Sequence, residues 1–205
     1  MTVRETIGAA PQPEMLRLAA RLNPKVGEPA VVMICGIAGD EGVAALAVEL
    51  GRSFALMRGG AILAADCRFS SPPEAPFAPA AGRAGIREAI AGAATLGEIE
   101  TADTVPGLRL IGTGSAHAGG ALDGPAALLG PDTVVLTDGL RARYRVAFLA
   151  VDPLIGGATA LRLARAVDGV VLAIRAGIDR TDQVNTSISL LNQMEAAILG
   201  AVLVE

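Results

Sequence analysis

Short runs of aliphatic residues alternate along this chain with stretches in which apolar residues recur at helical spacing. Runs of roughly four to six apolar residues are typical of strands that are buried on both faces, and the intervening spacing is typical of helices that cover them. Because parallel strands need helical crossovers, the alternation predicts an α/β fold with a doubly wound, mainly parallel sheet flanked by helices. Ligands of such folds bind at the carboxyl ends of the strands.

The pattern also predicts where the elements lie. The predicted strands are Ala30–Cys35, Ala61–Ala65, Leu108–Ile111, Val146–Val151, Gly169–Ile174 and Ile198–Val204. The predicted helices are Pro13–Leu22, Val43–Met57, Ile86–Ala91, Pro131–Arg143, Gly157–Val167 and Arg180–Glu195, with a short turn near Leu96–Glu100. We expect residues 1–29 to form an N-terminal helical segment packed on the core, and residues 30–205 to form a single α/β domain.

Two stretches are predicted to be loops. Phe69–Arg83 contains four prolines and is therefore expected to be an irregular surface loop. Gly112–Gly124 is rich in glycine and contains His117, which we expect to be a solvated or capping residue rather than a ligand. Neither cysteine belongs to a Cys-x-x-Cys pair, so Cys35 and Cys67 are predicted to be buried thiols.

Composition excludes two classes of partner. With 52% hydrophobic and only 2% aromatic residues, the core must be built from aliphatic side chains. The net charge of -4 gives no overall positive field for a nucleic-acid backbone, so we expect no nucleic-acid partner. No apolar run approaches the roughly 20 residues that cross a bilayer, and the first residues lack the pattern of a secretory signal. We therefore expect a cytoplasmic protein.

One segment has the layout of a phosphate-binding loop. Residues 31–50, VVMICGIAGDEGVAALAVEL, combine a buried strand, a turn with three glycines and the start of an apolar helix. In a working loop of this kind, a lysine that contacts the phosphates and a Ser or Thr that holds magnesium follow the last glycine. Here these two positions are Val43 and Ala44, and the one lysine of the chain, Lys25, precedes the strand.

The charges in this loop also oppose a nucleotide. Asp40 and Glu41 place negative charge where a triphosphate would lie. The helix dipole still attracts an anion, but it contributes only about 0.3–1 kcal/mol. The residues alone leave two alternatives open: the glycines only turn a strand into a helix, or the backbone amides bind a nucleotide weakly.

Taken in order, these segments resemble the cytoplasmic kinase domain of bacterial tyrosine kinases (BY-kinases), a capsular exopolysaccharide family within the MinD/ParA-like P-loop superfamily. The segment PEMLRLAARLN is similar to the family's E-x-x-R-x-x-R helix, with Glu14 and Arg17 matched and Ala20 in the third position. The family's P-G-E-G-K-S-T loop falls on GDEGVAA, in which only Glu41 and Gly42 persist.

Two further acidic motifs are incomplete. ILAADCRFSSP is similar to the family's L-I-D-A-D-L-R-x-P, so Asp66 and Arg68 match the second acid and the arginine, whereas Ala64 replaces the first acid. RVAFLAVDP resembles Y-D-x-V-I-I-D-T-P-P, in which Ala150 falls on the aspartate that organises magnesium. A slip of two residues would place Asp152 there instead. The resemblance therefore implies degenerate Walker motifs.

From this resemblance we expect a catalytically inactive subunit or regulator of exopolysaccharide or capsule synthesis and export, which acts by protein–protein interaction. Its implied partner is the cytoplasmic end of an inner-membrane chain-length or export protein, which would hold it at that membrane. The resemblance implies no catalytic residue and no resident metal. The residues implied to form a vestigial nucleotide-binding site are Gly39, Glu41, Gly42, Asp66, Arg68 and Asp152. The residues implied to form a self-association surface are Glu14 and Arg17. The one tyrosine, Tyr144, precedes a strand, so we expect it to be half-buried rather than a phosphorylation site.

Other hypotheses stay open from sequence. A weak nucleotide-binding protein, a slow ATPase or an atypical kinase homologue would bind ATP or ADP with magnesium through Asp66, Asp152 and Arg68. A MinD/ParA-like positioning protein is a further alternative. Glu14 and Arg17 are spaced three apart, so they fit either a homo-oligomer interface or an ion pair on the surface of one helix.

Overall fold

The computed structural model describes residues 11–71, 75–115 and 132–204. The strands are β1 Ala30–Gly36, β2 Ile62–Cys67, β3 Thr101–Ala102, β4 Leu108–Ile111, β5 Val146–Val151, β6 Gly169–Arg175 and β7 Ile198–Val204. The helices are α1 Pro13–Leu22, α2 Val43–Arg58, α3 Ile86–Ile90, α4 Leu96–Ile99, α5 Asp132–Arg143, α6 Ala158–Ala164 and α7 Thr181–Gln193. Two 3-10 segments lie at Asn23–Lys25 and Ala75–Ala80.

The strands form one sheet in the order β3-β4-β2-β5-β1-β6-β7. Every pairing is parallel except that of β3 with β4. The predicted doubly wound, mainly parallel α/β fold is therefore confirmed, and all six predicted strands are present. β3 was missed because it has only two residues and no apolar run of its own.

Aliphatic side chains from both faces of this sheet form two separate core clusters. On β1, alternate residues point to opposite faces, so Val32 and Ile34 pack towards α1 and α2, whereas Val31, Met33 and Cys35 pack towards the helices on the other side. This double burial explains why β1, β2 and β5 are continuous apolar runs. Both predicted buried thiols, Cys35 and Cys67, are fully buried, and burial raises their pKa.

The helix α1 lies against α2 on one of these faces. Its buried residues are Met15, Ala19 and Leu22, which belong to the same cluster as the inward face of α2. Between α2 and β5, the rings of Phe54 and Phe148 make an edge-to-face contact with centroids 4.9 Å apart. Residues 11–29 therefore share their core with the α/β layer.

The proline-rich stretch is more ordered than its composition predicts. The expectation of an irregular surface loop over Phe69–Arg83 was wrong for Ala75–Ala80, which forms a 3-10 segment. Phe77 in this segment is only 1% exposed and belongs to the cluster under α2. One buried aromatic side chain thus ties the segment to the core. Of the second predicted loop, only residues 112–115 are described, and His117 lies outside the described residues.

Two helices, α6 and α7, end at least two residues earlier than predicted. The helix α7 ends at Gln193 because Glu195 adopts the left-handed conformation with φ of 57°, which does not continue a helix. The helix α6 ends at Ala164, after which the backbone amides of Ala166 and Val167 both bond the Leu163 carbonyl in a tight turn. None of the helices in the described ranges is both long enough and apolar enough to span a membrane.

If Phe77 holds the proline-rich segment in place, its removal must destabilise the whole domain. We expect Phe77→Ala to lower the free energy of unfolding by about 3 kcal/mol, the usual cost of removing a buried aromatic ring. Urea unfolding followed by circular dichroism measures this loss. Leu56→Ala is the control, because Leu56 is 56% exposed and its truncation should change stability by no more than about 0.5 kcal/mol. Equal effects of the two substitutions would contradict the anchoring role.

Candidate functional site

Residues 37–42 turn the chain from the carboxyl end of β1 into α2. A side chain at Gly36 would collide with the Gly39 carbonyl, so this close backbone approach requires glycine. Gly42 has φ of 79° and caps α2 in the left-handed conformation, which also favours glycine. The amide of Val43 bonds back to the Asp40 carbonyl at 3.1 Å. The glycines therefore build the tight strand-to-helix turn that the sequence indicates.

The two positions after this turn point into the core. Val43 and Ala44 are fully buried and belong to the aliphatic cluster between α2 and the sheet. The end of β7 lies beside the turn, because a side chain at Gly42 would come within 3.7 Å of Val204. The position where the resemblance implies a lysine is therefore occupied by a packed aliphatic residue.

A buried ion pair lies at the end of β2. Arg68 is 1% exposed, and its Nε and Nη2 atoms donate to the two carboxylate oxygens of Asp66, each at 2.9 Å. Its Nη1 atom donates to Asp40 in the loop at 3.3 Å. The guanidinium thus binds one carboxylate in bidentate fashion and reaches a second one on the neighbouring loop. Arg68 joins β2 to the loop after β1.

Asp152 lies at the same sheet edge but serves the backbone. Its carboxylate accepts hydrogen bonds from the amides of Phe69 at 3.2 Å and Ser70 at 3.1 Å. Burial raises the pKa of Asp152 and nearby Asp40 adds to this effect, whereas the two amides and Arg68 act in the opposite direction. Asp152 therefore fixes the turn after β2.

The strand register shows where Ala64 and Ala150 lie relative to Asp66. Asp66 on β2 lies opposite Ala150 on β5, and Ala150 lies opposite Ile34 on β1. Ala64 lies opposite Phe148 in the same pair of strands. Both alanines are fully buried, so small apolar residues occupy the two positions where the resemblance implies carboxylates.

Sequence reasoning missed a second arginine at this site. Arg175, the last residue of β6, donates to Glu41 in the loop at 2.7 Å and to Asp179 at 2.9 Å. These bonds raise the pKa of Arg175, that with Asp179 most of all. A side chain at Gly39 would meet this guanidinium. The available signal was its position, since the carboxyl ends of parallel strands meet at one edge.

The structure thus brings the predicted residues Gly39, Glu41, Gly42, Asp66, Arg68 and Asp152 to one edge of the sheet. Five carboxylates surround two guanidinium groups there, and both arginines bind carboxylates of this chain: the acids are Asp40, Glu41, Asp66, Asp152 and Asp179. In the described part of the chain, no group of three or more His, Cys, Asp or Glu side chains is placed to hold a metal ion. These residues do not fit a magnesium-bound triphosphate.

The predicted interface residues lie elsewhere. Glu14 and Arg17 are both exposed on α1, on the side opposite Met15 and Ala19. Within the described ranges they form no ion pair with each other. The alternative of an ion pair within one helix is therefore not what the structure shows, and the interface stays a prediction.

Tyr144 is more buried than expected. It is 3% exposed, and its hydroxyl donates to Glu100 at 2.8 Å. Burial and this bond raise its pKa. Tyr144 therefore acts as a packed structural residue in this conformation.

Solved structures share this fold over most of the chain. The kinase domain of VpsO has a TM-score of 0.80 and 25% identity, with 94% of this chain and 91% of that chain covered. The kinase domain of the Escherichia coli tyrosine kinase ETK has a TM-score of 0.78 and 19% identity, with coverage of 92% and 73%. The chain therefore has the fold of these kinase domains. No protein-family model and no curated protein matches its sequence.

More distant structures show that this is the MinD/ParA-like P-loop fold. The cell division protein MinD of Aquifex aeolicus has a TM-score of 0.59 and 13% identity, with 85% of this chain and 68% of that chain covered. A cobyrinic acid a,c-diamide synthase of Mycobacterium smegmatis with the same fold contains an ATP analogue and magnesium. The fold itself is therefore compatible with a nucleotide, and the side chains decide whether one binds.

The buried ion pair gives a direct test of how the site is held. We expect Arg68→Met to lower the free energy of unfolding by about 3–5 kcal/mol, because it leaves the Asp66 carboxylate buried without its partner. The double variant Arg68→Met/Asp66→Leu should recover most of this loss, since no isolated charge remains between the two positions. Chemical unfolding of the three proteins measures both effects.

The control is Arg180→Ala, which removes an exposed ion pair with Asp182. Such a pair contributes at most about 1 kcal/mol. A loss for Arg68→Met no larger than that of the control would show that the buried pair does not hold the loop.

Proposed function

We propose that this chain is a catalytically inactive BY-kinase-like subunit that acts by protein–protein interaction. The observation that carries the proposal is the burial of Val43 and Ala44 in the aliphatic core, at the two positions where a working loop needs a lysine and a hydroxyl. Neither side chain reaches a phosphate, and neither carries a group that could bind one.

The rest of the site supports the same conclusion. Phosphoryl transfer depends on positioning and on positive charge that neutralises the transferred group. Arg68 and Arg175, the arginines at this edge, are already neutralised by carboxylates of this chain. A triphosphate would have to displace Asp66 or Asp179 and would then meet an excess of negative charge. The four positions that lost their functional groups lie on α2, β2 and β5, and each is now packed: Val43, Ala44, Ala64 and Ala150.

The family resemblance supplies the process and the partner in this proposal. It implies a role in the synthesis or export of capsule or exopolysaccharide. The partner would be the cytoplasmic end of an inner-membrane chain-length or export protein. The subunit would then be cytoplasmic and held at the inner membrane by that partner, and its net charge of -4 fits a protein rather than a nucleic-acid partner.

Isothermal titration with MgATP and MgADP tests the loss of nucleotide chemistry. We expect dissociation constants above about 1 mM for both nucleotides, because a dipole and backbone amides alone provide little binding energy. Phosphate release should not exceed that of a protein-free control. Binding in the micromolar range together with hydrolysis would overturn the proposal.

A second test asks whether the lost lysine can be put back. We expect Val43→Lys to lower the free energy of unfolding by about 3 kcal/mol at pH 7, because the ammonium enters a site that excludes water. Val43→Met has a similar length without the charge, so the difference between the two variants isolates the cost of the charge.

The difference in unfolding free energy between Val43→Lys and Val43→Met should depend on pH in one direction. Burial lowers the folded-state pKa of the new lysine below its unfolded value of about 10.4. The penalty is therefore complete below the folded-state pKa and disappears as the pH rises towards about 10.4. Urea unfolding between pH 7 and 10 measures it. A constant difference across this range would show that the introduced ammonium reaches solvent and that the loop is open.

Arg175 favours a second candidate, weak binding of a nucleotide. Its guanidinium lies against the loop beside Gly39, and arginine binds phosphate oxygens in bidentate fashion. In this alternative, an anion would replace Glu41 on Arg175. A rise in melting temperature with millimolar MgATP that is lost in Arg175→Ala but kept in the exposed control Arg165→Ala would support it. No rise in the wild type, or equal rises in all three proteins, would dismiss it.

A further inference from the structure

Among the described residues, β7 is the outermost strand at one edge of the sheet. In the described part of the chain, it pairs with β6 and with no other strand. Its seven residues, ILGAVLV, include no charged side chain and no proline. Natural sheets usually protect an edge with charges, proline or a very short strand, because free backbone groups invite another strand to pair. The opposite edge is protected in this way, since β3 has only two residues.

The direction of the backbone groups shows which residues face outwards. The Val204 carbonyl accepts a hydrogen bond from Ala176, at the end of β6, so Val204 faces the sheet. Because successive residues of a strand point their backbone groups to alternate sides, Ala201 and Leu203 present theirs to the open edge. The Leu203 side chain is 59% exposed, and Ile178, just beyond the end of β6, is 61% exposed. Outward backbone groups and the exposed Leu203 side chain thus lie on the same strand.

Only the first part of β7 is protected. The Nζ atom of Lys25 donates to the Leu199 carbonyl at 2.8 Å, and Leu22 lies beside Gly200. These contacts come from the end of α1 and from the 3-10 segment that follows it. The remainder, residues 201–204, has no such cover among the described residues.

We propose that this open edge pairs with β7 of a second copy of the chain. The two strands run antiparallel, and a two-fold axis that passes through Val202 relates the two copies. In this register, Ala201 lies opposite Leu203 of the partner subunit, and Leu203 opposite Ala201 of the partner subunit. All four residues present outward backbone groups, which can form two reciprocal pairs of hydrogen bonds. The pairing leaves the bond between Lys25 and Leu199 intact, because its hydrogen bonds use Ala201 and Leu203 alone.

The composition of the strand favours a second copy as the occupant. A two-fold axis brings every residue close to its own copy or to a near neighbour, so any charge on the strand would meet the same charge. β7 has none, and its exposed side chains are apolar. The resulting sheet would continue through both subunits and cover Leu203. This surface is separate from Glu14 and Arg17 on α1, and it requires no nucleotide.

Sedimentation velocity over a range of protein concentrations tests this interface. For a monomer of 20.6 kDa, we expect the mass to double as the concentration rises into the tens of micromolar. Leu203→Lys places two ammonium groups next to the axis and should raise the dimer dissociation constant at least tenfold. The matched control is Val135→Lys, because Val135 is 71% exposed on α5 and lies outside β7. This control should dimerise as the wild type does.

Disulfide trapping tests the register. Cys35 and Cys67 are fully buried, so an added surface thiol dominates the oxidation of the folded protein. We expect an oxidised mixture of Ala201→Cys and Leu203→Cys proteins to give mainly the mixed dimer, because these positions face each other across the axis. Equal yields of mixed and like pairs would overturn this register.

Three experimental results would contradict the proposed interface. A wild type that stays monomeric up to 200 µM would overturn it, including the case in which β7 pairs only with an extended peptide of another protein. Equal weakening by Leu203→Lys and Val135→Lys would also overturn it. So would a dimer that is lost in Arg17→Glu and unaffected by Leu203→Lys, since the α1 surface would then be the interface. Circular dichroism of each variant separates lost pairing from lost folding.

Discussion

The buried guanidinium of Arg68 is the interaction on which the arrangement of the candidate site depends. It binds Asp66 through two parallel hydrogen bonds and reaches Asp40 on the neighbouring loop. In a site from which water is excluded, an unpaired charge is costly, so these groups hold one another in place. The positive charge of Arg68 thereby holds two segments of this protein together.

Aliphatic packing around this ion pair also fills the candidate site with side chains of the protein itself. Val43 and Ala44 fill the space under the loop, and Ala64 and Ala150 fill the sheet beside Asp66. All four side chains are aliphatic and fully buried, as is usual for such residues. Arg175 then closes the loop from the side of β6 by binding Glu41. The loop is thus held by contacts with β2 and β6 of the same chain.

The sequence predicted the layer structure well because a parallel sheet that is buried on both faces needs continuous apolar strands, and these are visible in the chain. It predicted the outline of the site for a similar reason, since residues after consecutive strands meet at one edge. It failed for the segment around Phe77, where one aromatic contact outweighs the local effect of four prolines. It also failed for β3, whose two residues form a strand only because β4 is beside them.

By itself, the sequence determined the fold class and the loss of the lysine and hydroxyl after the glycine-rich turn, because both depend on residue types at fixed positions along the chain. Only the tertiary structure decided which charges meet. The pairing of Arg175 with Glu41 joins residues 134 positions apart, and that of Arg68 with Asp40 joins residues 28 positions apart. Coulomb interactions act over a few ångströms in space, so such pairs cannot be assigned until the strand order fixes which loops are neighbours.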